Sequence, residues 1–303
     1  MVDITHQFTK WRIIYAVSWI FLLGNSKLTV INALRMTEPI GFIGLGIMGK
    51  GMAQNLLKKI DNCSLVVWNR SPDACAELSA AFPPGRVTVA ASAADVVRSC
   101  KLTYSMLSTM EASEAVFDHA DGVINAMGSD KTLVDCATLS PERMMLIAAE
   151  IDKRGGKFLE APVSGSKVPA ETGTLIFLCG GDAAIFEAAS PGLQAMGKAS
   201  FLLGPVGAGS KMKLVVNMIM GTMMGAFAEG MALAETAELP QDMLLQVIHV
   251  AAGAGIASNV MSCQIALCLA FPNPNLTSPP HTHPRSCAPD PGPGRHGKPH
   301  VQG

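Results

Sequence analysis

Three glycines of this sequence, Gly44, Gly46 and Gly49, have the spacing G-x-G-x-x-G and come directly after an apolar run. In this spacing, Gly44 permits a tight turn, Gly46 lets the backbone approach a pyrophosphate, and Gly49 lets a helix pack closely on the strand. A helix that begins near Ile47 and Met48 would direct free N–H groups and the positive end of its dipole at the phosphates. We therefore predict the phosphate-binding turn of a dinucleotide-binding unit.

A polar cluster, Asn69-Arg70-Ser71, ends the next apolar run, about 20 residues after Gly49. Folds of this kind contact the adenosine ribose at that position, and NAD-preferring sites place Asp or Glu there. Arg70 would instead attract a 2′-phosphate, with Asn69 and Ser71 donating hydrogen bonds to it. The pattern favours NADP(H) as the cofactor. The alternative is a polar turn with a solvated arginine.

Lys213 and Asn217 are candidates for catalysis of a carbonyl reduction. They are four residues apart in a helical pattern, so they share one face among apolar neighbours. Hydride reduction of a carbonyl needs a proton donor for the developing alkoxide. An ammonium such as that of Lys213 could polarise the carbonyl and then donate the proton, with Asn217 orienting it. The alternative is a surface lysine with its apolar stem packed on the helix.

A second turn, at Ser164-Gly165, follows the strand-like residues near 160. A Ser-Gly turn that leaves a strand can direct backbone N–H groups and a hydroxyl at a carboxylate. Such turns are also common without a ligand. We predict a substrate carboxylate site here, with a purely structural turn as the alternative.

Strand-like and helix-like segments alternate along the part of the chain that must position these residues. Strands are predicted at 40–44, 64–69, 86–90, 102–107, 132–136, 157–161, 174–179 and 200–203. Helices are predicted at 47–59, 73–81, 111–119, 141–154 and 183–196. This order indicates an α/β fold, a Rossmann-type doubly wound sheet over residues 38–203.

An all-α domain is predicted to follow, and it covers only residues 204–257. Residues 210–237 lack proline and are rich in Ala and Met, which predicts a long, mostly buried helix. A second helix is predicted within 240–257. The pattern then stops, so we expect the helical domain to be incomplete and its long helix to expose apolar surface.

The two ends of the chain are predicted to lie outside the fold. Residues 1–37 are interpreted as an added leader, with a targeting peptide as the alternative; its apolar run is too short to span a bilayer. Residues 258–303 diverge into a Pro-, Gly- and His-rich tail that we expect to be disordered. We predict a cytoplasmic protein, or a plastid or mitochondrial one if the leader is a targeting signal.

The composition argues against several classes of function. The 303 residues carry a net charge of −1, which gives no electrostatic basis for binding nucleic acid. The eight cysteines contain no C-x-x-C pair, and the histidines of the tail lack a regular spacing. We predict reduced core cysteines, no metal site and no stable membrane insertion.

These motifs together resemble the β-hydroxyacid dehydrogenase family. G-F-I-G-L-G-I-M-G-K-G-M-A at 41–53 is similar to its cofactor turn, E-A-P-V-S-G-S at 160–166 to its substrate motif, and G-A-G-S-K-M-K-L-V-V-N at 207–217 to its catalytic helix. Within the family, V-V-W-N-R-S and P-V-S-G-S-K-V-P-A are most similar to the plant-type glyoxylate/succinic semialdehyde reductases. The resemblance covers about residues 39–257.

The resemblance implies NADPH-dependent reduction of glyoxylate to glycolate and of succinic semialdehyde to 4-hydroxybutyrate. It makes Lys213 the general acid with Asn217 as its partner, and Ser164 and Gly165 the carboxylate site. Three further positions match the family's cofactor contacts. They are Met106 and Leu107, and Thr138, which also lines the substrate.

Two other functions remain open at this point. One is an NAD-linked 3-hydroxyisobutyrate dehydrogenase of the same family, which Asn69-Arg70 disfavours. The other is a truncated, non-catalytic NADP-binding protein, which the Lys213/Asn217 pair disfavours. Family members form homodimers or tetramers through helices that have no counterpart here after about residue 258, so we expect assembly of this chain to be impaired.

Overall fold

The computed structural model describes residues 38–252 of the chain. The predicted leader and the tail 258–303 lie outside this range. The described residues up to Ile219 belong to one compact unit, and those from Met220 onward belong to a second. Lys213 and Asn217 both fall in the first unit, together with every other candidate site residue.

The first unit is built on a sheet whose nine strands, in the described part of the chain, are short. They are β1 (Ile40–Ile43), β2 (Leu65–Trp68), β3 (Val87–Val89), β4 (Leu102–Ser105), β5 (Thr132–Asp135), β6 (Lys157–Glu160), β7 (Val163–Ser164), β8 (Leu175–Gly181) and β9 (Gly197–Leu202). The strand order is β3-β2-β1-β4-β5-β6-β8-β7, with β9 paired to β8. The first six strands of this order are parallel, whereas β8 runs antiparallel to β6 and β7.

The order 3-2-1-4-5-6 has its switch point between β1 and β4. In open α/β sheets, ligands bind beyond the carboxyl ends of the strands at such a point. The chain leaves β1 at Gly44 and leaves β4 at Met106. The topology therefore places the predicted cofactor residues where a doubly wound sheet binds its ligand.

Ten helices are described. They are α1 (Gly49–Lys59), α2 (Pro72–Ala80), α3 (Ala93–Ser99), α4 (Met110–Phe117), α5 (Val123–Ala126), α6 (Pro141–Asp152), α7 (Lys167–Thr172), α8 (Ala183–Met196), α9 (Ala208–Thr236) and α10 (Gln241–Ala252).

Both faces of the sheet are covered by helices, and strand residues alternate between two hydrophobic cores. In β1, Phe42 joins the core formed with α1 and α8, whereas Ile43 joins the core formed with α3 and α6. The same alternation divides Leu133 from Val134 in β5. Side chains of a strand point alternately to the two faces, so a sheet buried on both faces has continuously apolar strands.

The structure adds elements that the sequence does not predict. Helices α3, α5 and α7 and the two-residue strand β7 are new, because segments this short carry too little periodicity to be recognised. Strand β9 begins at Gly197, three residues before the predicted start, directly after α8 ends.

The prediction that residues 210–237 form a mostly buried helix is half right. Helix α9 is present, but Leu214, Val215, Met218 and Ile219 are about half exposed or more. By length and composition alone, with a mean hydropathy of 1.3, α9 could cross a membrane. Core helices of soluble proteins share these properties, so the observation does not assign α9 to a membrane.

The described residues of the second unit contain the end of α9 and all of α10. They line an open apolar pocket of about 510 Å³, whose lining includes Phe227, Leu233, Leu244 and Ile248. Among the residues of this unit whose burial is described, Ala234 is the only fully buried apolar side chain. This unit therefore has little hydrophobic core of its own.

Candidate cofactor and catalytic site

The glycine turn is shaped by two positions that have no room for a side chain. Gly44 has φ +94°, and a Cβ there would overlap the carbonyl oxygen of Met106. A Cβ on Gly49 would overlap the carbonyl oxygen of Gly44, so only glycine lets α1 begin this close to the strand. The Met106 N–H donates to the Ile43 carbonyl at 2.9 Å. The turn and the end of β4 therefore lie side by side, with Leu107 next to Gly44.

The N-terminus of α1 is open to an anion. Its N-cap is Met48, which makes no side-chain hydrogen bond to the first turn. Helices α3, α4, α6 and α8 are instead capped by Ser92, Thr109, Ser140 and Asp182. Nothing lies within 4 Å of the position a Gly46 Cβ would take, and the neighbouring Ile47 side chain is 75% exposed. These free N–H groups and the open space fit the pyrophosphate of a dinucleotide.

Asn69 holds the turn to the end of β2. Its Oδ1 accepts from the Leu45 N–H at 2.9 Å, and its Nδ2 donates to the Ser71 carbonyl at 3.0 Å. The sequence predicts Asn69 as a donor to a 2′-phosphate, but in this structure its amide bonds within the protein. The exposed side chains at this strand end are those of Arg70 and Ser71. Within residues 38–252, Arg70 forms no ion pair.

Thr138 lies beyond the end of β5, the strand next to β4. The Cys136 N–H donates to the Ser105 carbonyl at 2.8 Å, which keeps the two chains together past their last paired residues. The Thr138 side chain is exposed, two residues before the Ser140 cap of α6. It is thus available at the same edge of the sheet as the glycine turn and Met106.

The Ser164-Gly165 turn is joined to the cofactor helix. Ser164 is half-buried at the end of β7, and Gly165 has φ +140°. Helix α7 follows the turn and packs on α1, where the buried Asn55 amide donates to the carbonyls of Ala170 at 2.8 Å and Glu171 at 3.1 Å. The helix after the predicted carboxylate site is therefore hydrogen-bonded to the predicted phosphate-binding helix.

Lys213, the candidate general acid, is a buried cation. It lies in the second turn of α9 and is only 9% exposed. No hydrogen-bond acceptor or carboxylate in the described part of the chain binds its Nζ. Burial without a counter-charge lowers the pKa of the Lys213 ammonium below the ordinary lysine value. Asn217, one turn further along, is exposed.

Two buried carboxylates at this edge are missed by the sequence reasoning. Glu160 and Asp135 are the last residues of neighbouring strands, paired in register, and both are 0% exposed. Glu160 accepts from the N–H groups of Gly207 and Ser210 at the start of α9. Acidic residues that end two successive apolar runs are the signal that could have revealed them.

Comparison with known proteins agrees with this geometry. Residues 39–204 match a family model described as the NAD binding domain of 6-phosphogluconate dehydrogenase, which is more than half of the chain. The protein belongs to the 6-phosphogluconate dehydrogenase/β-hydroxyacid dehydrogenase family. The family, the fold class and a nicotinamide dinucleotide as the class of cofactor are thereby confirmed.

Two plant enzymes are among the proteins to which this chain is similar in sequence. Glyoxylate/succinic semialdehyde reductase 1 of Arabidopsis thaliana is 45% identical over 213 residues, which are 70% of this chain and 72% of the reductase. Reductase 2 of the same plant, a chloroplastic protein, is 45% identical over 70% of this chain and 58% of its own length. The human cytokine-like nuclear factor N-PAC is 38% identical over 70% of this chain and 37% of its own length.

A solved structure of the family has the same fold. The 3-hydroxyisobutyrate dehydrogenase of Mycobacterium tuberculosis, solved with L-serine, superposes with a TM-score of 0.63 at 30% identity. The match covers 73% of this chain and 72% of that one. The enzymes among these relatives are oxidoreductases, as the sequence predicts for this chain.

Proposed function

We propose that this protein reduces small aldehyde acids, glyoxylate and succinic semialdehyde, with NADPH. The observation that carries the proposal is Lys213, a buried lysine with no counter-charge among the described residues, on a helix whose start is hydrogen-bonded to Glu160 at the end of β6. The 45% identity to two reductases named for these substrates supports the choice of substrate class.

The preference for NADPH rests on the end of β2. Position 69 is an amide instead of the carboxylate that binds a ribose 2′-OH, and Arg70 next to it is exposed and without an ion pair in the described residues. A guanidinium can bind a phosphate through two parallel hydrogen bonds. With NADPH bound, the nicotinamide supplies the hydride.

The residues of the chain would bind the acid and deliver the proton. The N–H groups and hydroxyl of the Ser164-Gly165 turn would hold the substrate carboxylate. The Lys213 ammonium would donate a hydrogen bond to the aldehyde oxygen and then transfer its proton as negative charge develops there. A lowered lysine pKa makes this transfer easier near neutral pH. Thr138 would line the substrate and the nicotinamide, and Asn217 would orient Lys213 or hold the substrate oxygen.

The decisive experiment compares Lys213→Ala with Lys211→Ala, an exposed lysine on the same helix. We expect Lys213→Ala to lower kcat with NADPH and glyoxylate by about 10²–10⁴-fold, while NADPH binding, followed by fluorescence titration, is unchanged. Lys211→Ala should behave as the unchanged protein. Equal turnover in the two variants would show that Lys213 is not the general acid.

A second candidate is a 3-hydroxyisobutyrate-type dehydrogenase, which the 30% identity to the Mycobacterium enzyme favours. It predicts oxidation of 3-hydroxyisobutyrate and tighter binding of NADH than of NADPH. A third is a non-catalytic NADP-binding protein, and the likeness to a nuclear factor keeps it under test. Binding of NADPH with no turnover of any of these substrates would favour it.

Partners and location follow from the same proposal. We propose that the only ligands are the cofactor and a small acid, with no nucleic acid, and that the protein is cytoplasmic unless residues 1–37 direct it to a plastid or mitochondrion. Impaired assembly of this chain into the homodimer or tetramer of the family is a further prediction, and light scattering after size-exclusion chromatography measures it.

A further inference from the structure

Glu160 is a buried carboxylate that is hydrogen-bonded to the start of α9. It ends β6, it is 0% exposed, and its two carboxylate oxygens accept from separate backbone N–H groups, those of Gly207 and of Ser210, the latter at 2.6 Å. The first N–H groups of a helix have no partner within the helix. A carboxylate there is stabilised by these donors and by the positive end of the helix dipole.

Two glycines make the space for this carboxylate. A Cβ on Gly209 would lie 2.5 Å from Glu160 Oε1, and a Cβ on Gly180 would lie 3.0 Å from the same atom. Gly209 would also meet the Leu178 carbonyl. The start of α9 can therefore approach β6 and β8 this closely only because side chains are missing at both positions.

A second carboxyl stands beside Glu160. Asp135 is its register partner on β5, so the two side chains leave the same face of the sheet. The Ser105 hydroxyl and the Ala137 N–H bind Asp135 Oδ1, and Oδ2 has no partner among the described residues. Burial raises the pKa of Asp135 to about 6, with Arg143 opposing the shift and Glu160 adding to it. Burial also raises the pKa of Glu160, and the backbone N–H groups of Gly207, Ser210 and Gly209 oppose that shift.

The consequence for Lys213 follows from helix geometry. Lys213 comes three residues after Ser210, so it lies one turn above the anchored N–H on the same side of α9. No group among the described residues binds the Nζ of Lys213. The place of the ammonium is therefore set by the place of the first turn of α9.

We propose that Glu160 is a positioning residue for Lys213: its buried carboxylate fixes the first turn of α9, and thereby the point from which the ammonium reaches the substrate carbonyl. This inference rests on the proposed function of Lys213 as the general acid. It adds a residue 53 positions away in the sequence that does not itself touch substrate or cofactor.

The test compares Glu160→Gln and Glu160→Asp with Glu150→Gln, a partly exposed glutamate of α6 that forms ion pairs with Lys153 and Arg154. A glutamine at 160 has one acceptor oxygen, and its NH₂ group would face one of the two N–H donors. A misplacement of about 1 Å can cost about 100-fold in rate, so we expect kcat to fall by about that factor in Glu160→Gln. The Kd for NADPH should be unchanged, and Glu160→Asp, which keeps the charge, should recover at least a tenth of the lost rate.

A readout that needs no catalysis accompanies the kinetics. The full-length protein is labelled with acetic anhydride over a pH series, and the Lys213 peptide is quantified by mass spectrometry. We expect the Lys213 titration midpoint to lie below that of exposed lysines, and to move up towards theirs in Glu160→Gln but not in Glu150→Gln. If Glu160→Gln loses only thermal stability, with kcat and the midpoint unchanged, Glu160 is a structural residue and the inference is wrong.

Amide hydrogen exchange of the unaltered protein covers the case in which the variants do not fold. The Gly207 and Ser210 amides should exchange more slowly than the uncapped first-turn amides of α1. Equally fast exchange would remove the anchor and overturn the inference. Activity in Lys213→Ala would instead refute the proposed function, while the labelling and exchange results would still report on Glu160.

Discussion

Asn69 offers a prediction that separates stability from cofactor choice. Its Oδ1 accepts a hydrogen bond from the N–H of Leu45, which is only 3% exposed, and its Nδ2 donates to the carbonyl of the exposed Ser71. Asn69→Ala removes both bonds. Asn69→Asp keeps an acceptor for the Leu45 N–H, loses the donor to Ser71, and adds a negative charge where a 2′-phosphate would lie.

The magnitudes follow from these contacts. Leaving the buried Leu45 N–H without a partner costs about 1–3 kcal/mol, whereas water can replace the bond to the exposed Ser71 carbonyl. We therefore expect Asn69→Ala to lower the free energy of unfolding by about 2 kcal/mol and Asn69→Asp by less than about 1 kcal/mol. Repulsion between the new carboxylate and a 2′-phosphate near the surface is worth about 1.4–3 kcal/mol. That range corresponds to a shift of about 10–100-fold in the ratio of the NADPH and NADH dissociation constants.

Urea denaturation measures the first quantity, and fluorescence titration with each coenzyme measures the second. Asn69→Ala should weaken the binding of both coenzymes alike, because it loosens the turn at which we propose that their shared pyrophosphate binds. Asn69→Asp should weaken NADPH alone. Two results would refute the reasoning: equal destabilisation by the two substitutions, or an unchanged coenzyme ratio in Asn69→Asp.

Three further predictions concern pH and packing. Turnover should fall as the pH rises through the lowered pKa of Lys213. Lys213→Arg, whose guanidinium keeps its proton and cannot act as the general acid, should have a much lower kcat that does not fall over this pH range. The pKa of Asp135 is raised from 3.8 to about 6, so the folded state binds this proton more tightly than the unfolded state does. The folded state therefore loses up to about 3 kcal/mol of stability as the pH rises from about 4 to above 6. Asp135→Asn should abolish this loss, which urea denaturation at pH 4 and at pH 8 measures. Gly192→Ala should destabilise the folded protein by about 1–3 kcal/mol, because the new Cβ would overlap the buried Tyr104 ring. This cost exceeds the gain of about 1 kcal/mol in helix propensity. An unchanged midpoint of urea unfolding would show that the ring moves freely.

The parts of the site that could be predicted are those whose chemistry is local in sequence. The glycine turn needs three glycines within six residues, and its strand and helix adjoin it. The burial of Lys213 followed from its apolar neighbours. In both cases the residues that determine the structure lie within one or two turns of each other, so periodicity and spacing reveal them.

The parts that were missed depend on distant partners. Glu160 and the start of α9 are about 50 residues apart, and only the register of β5, β6 and β8 brings them together. The sequence predicts that Asn69 faces a ligand, but its Oδ1 accepts a hydrogen bond from the N–H of Leu45, which lies 24 residues earlier in the chain. Hydropathy likewise predicted α9 as a helix but could not indicate which surface would cover it.

The Asn55 amide, which ties α7 to α1, limits how this scaffold could be altered to accept bulkier acids. A Cβ at Gly51 would lie 2.8 Å from the Ala170 carbonyl carbon. Helices α1 and α7 are therefore packed too closely to accept a side chain between them. An insertion in the loop before α7, the proposed site of the substrate carboxylate, would push directly on α1, which begins at the proposed coenzyme site. On the proposed function, Thr138, whose side chain is exposed, is the better position to vary for a broader substrate range, with the contact between α1 and α7 left intact.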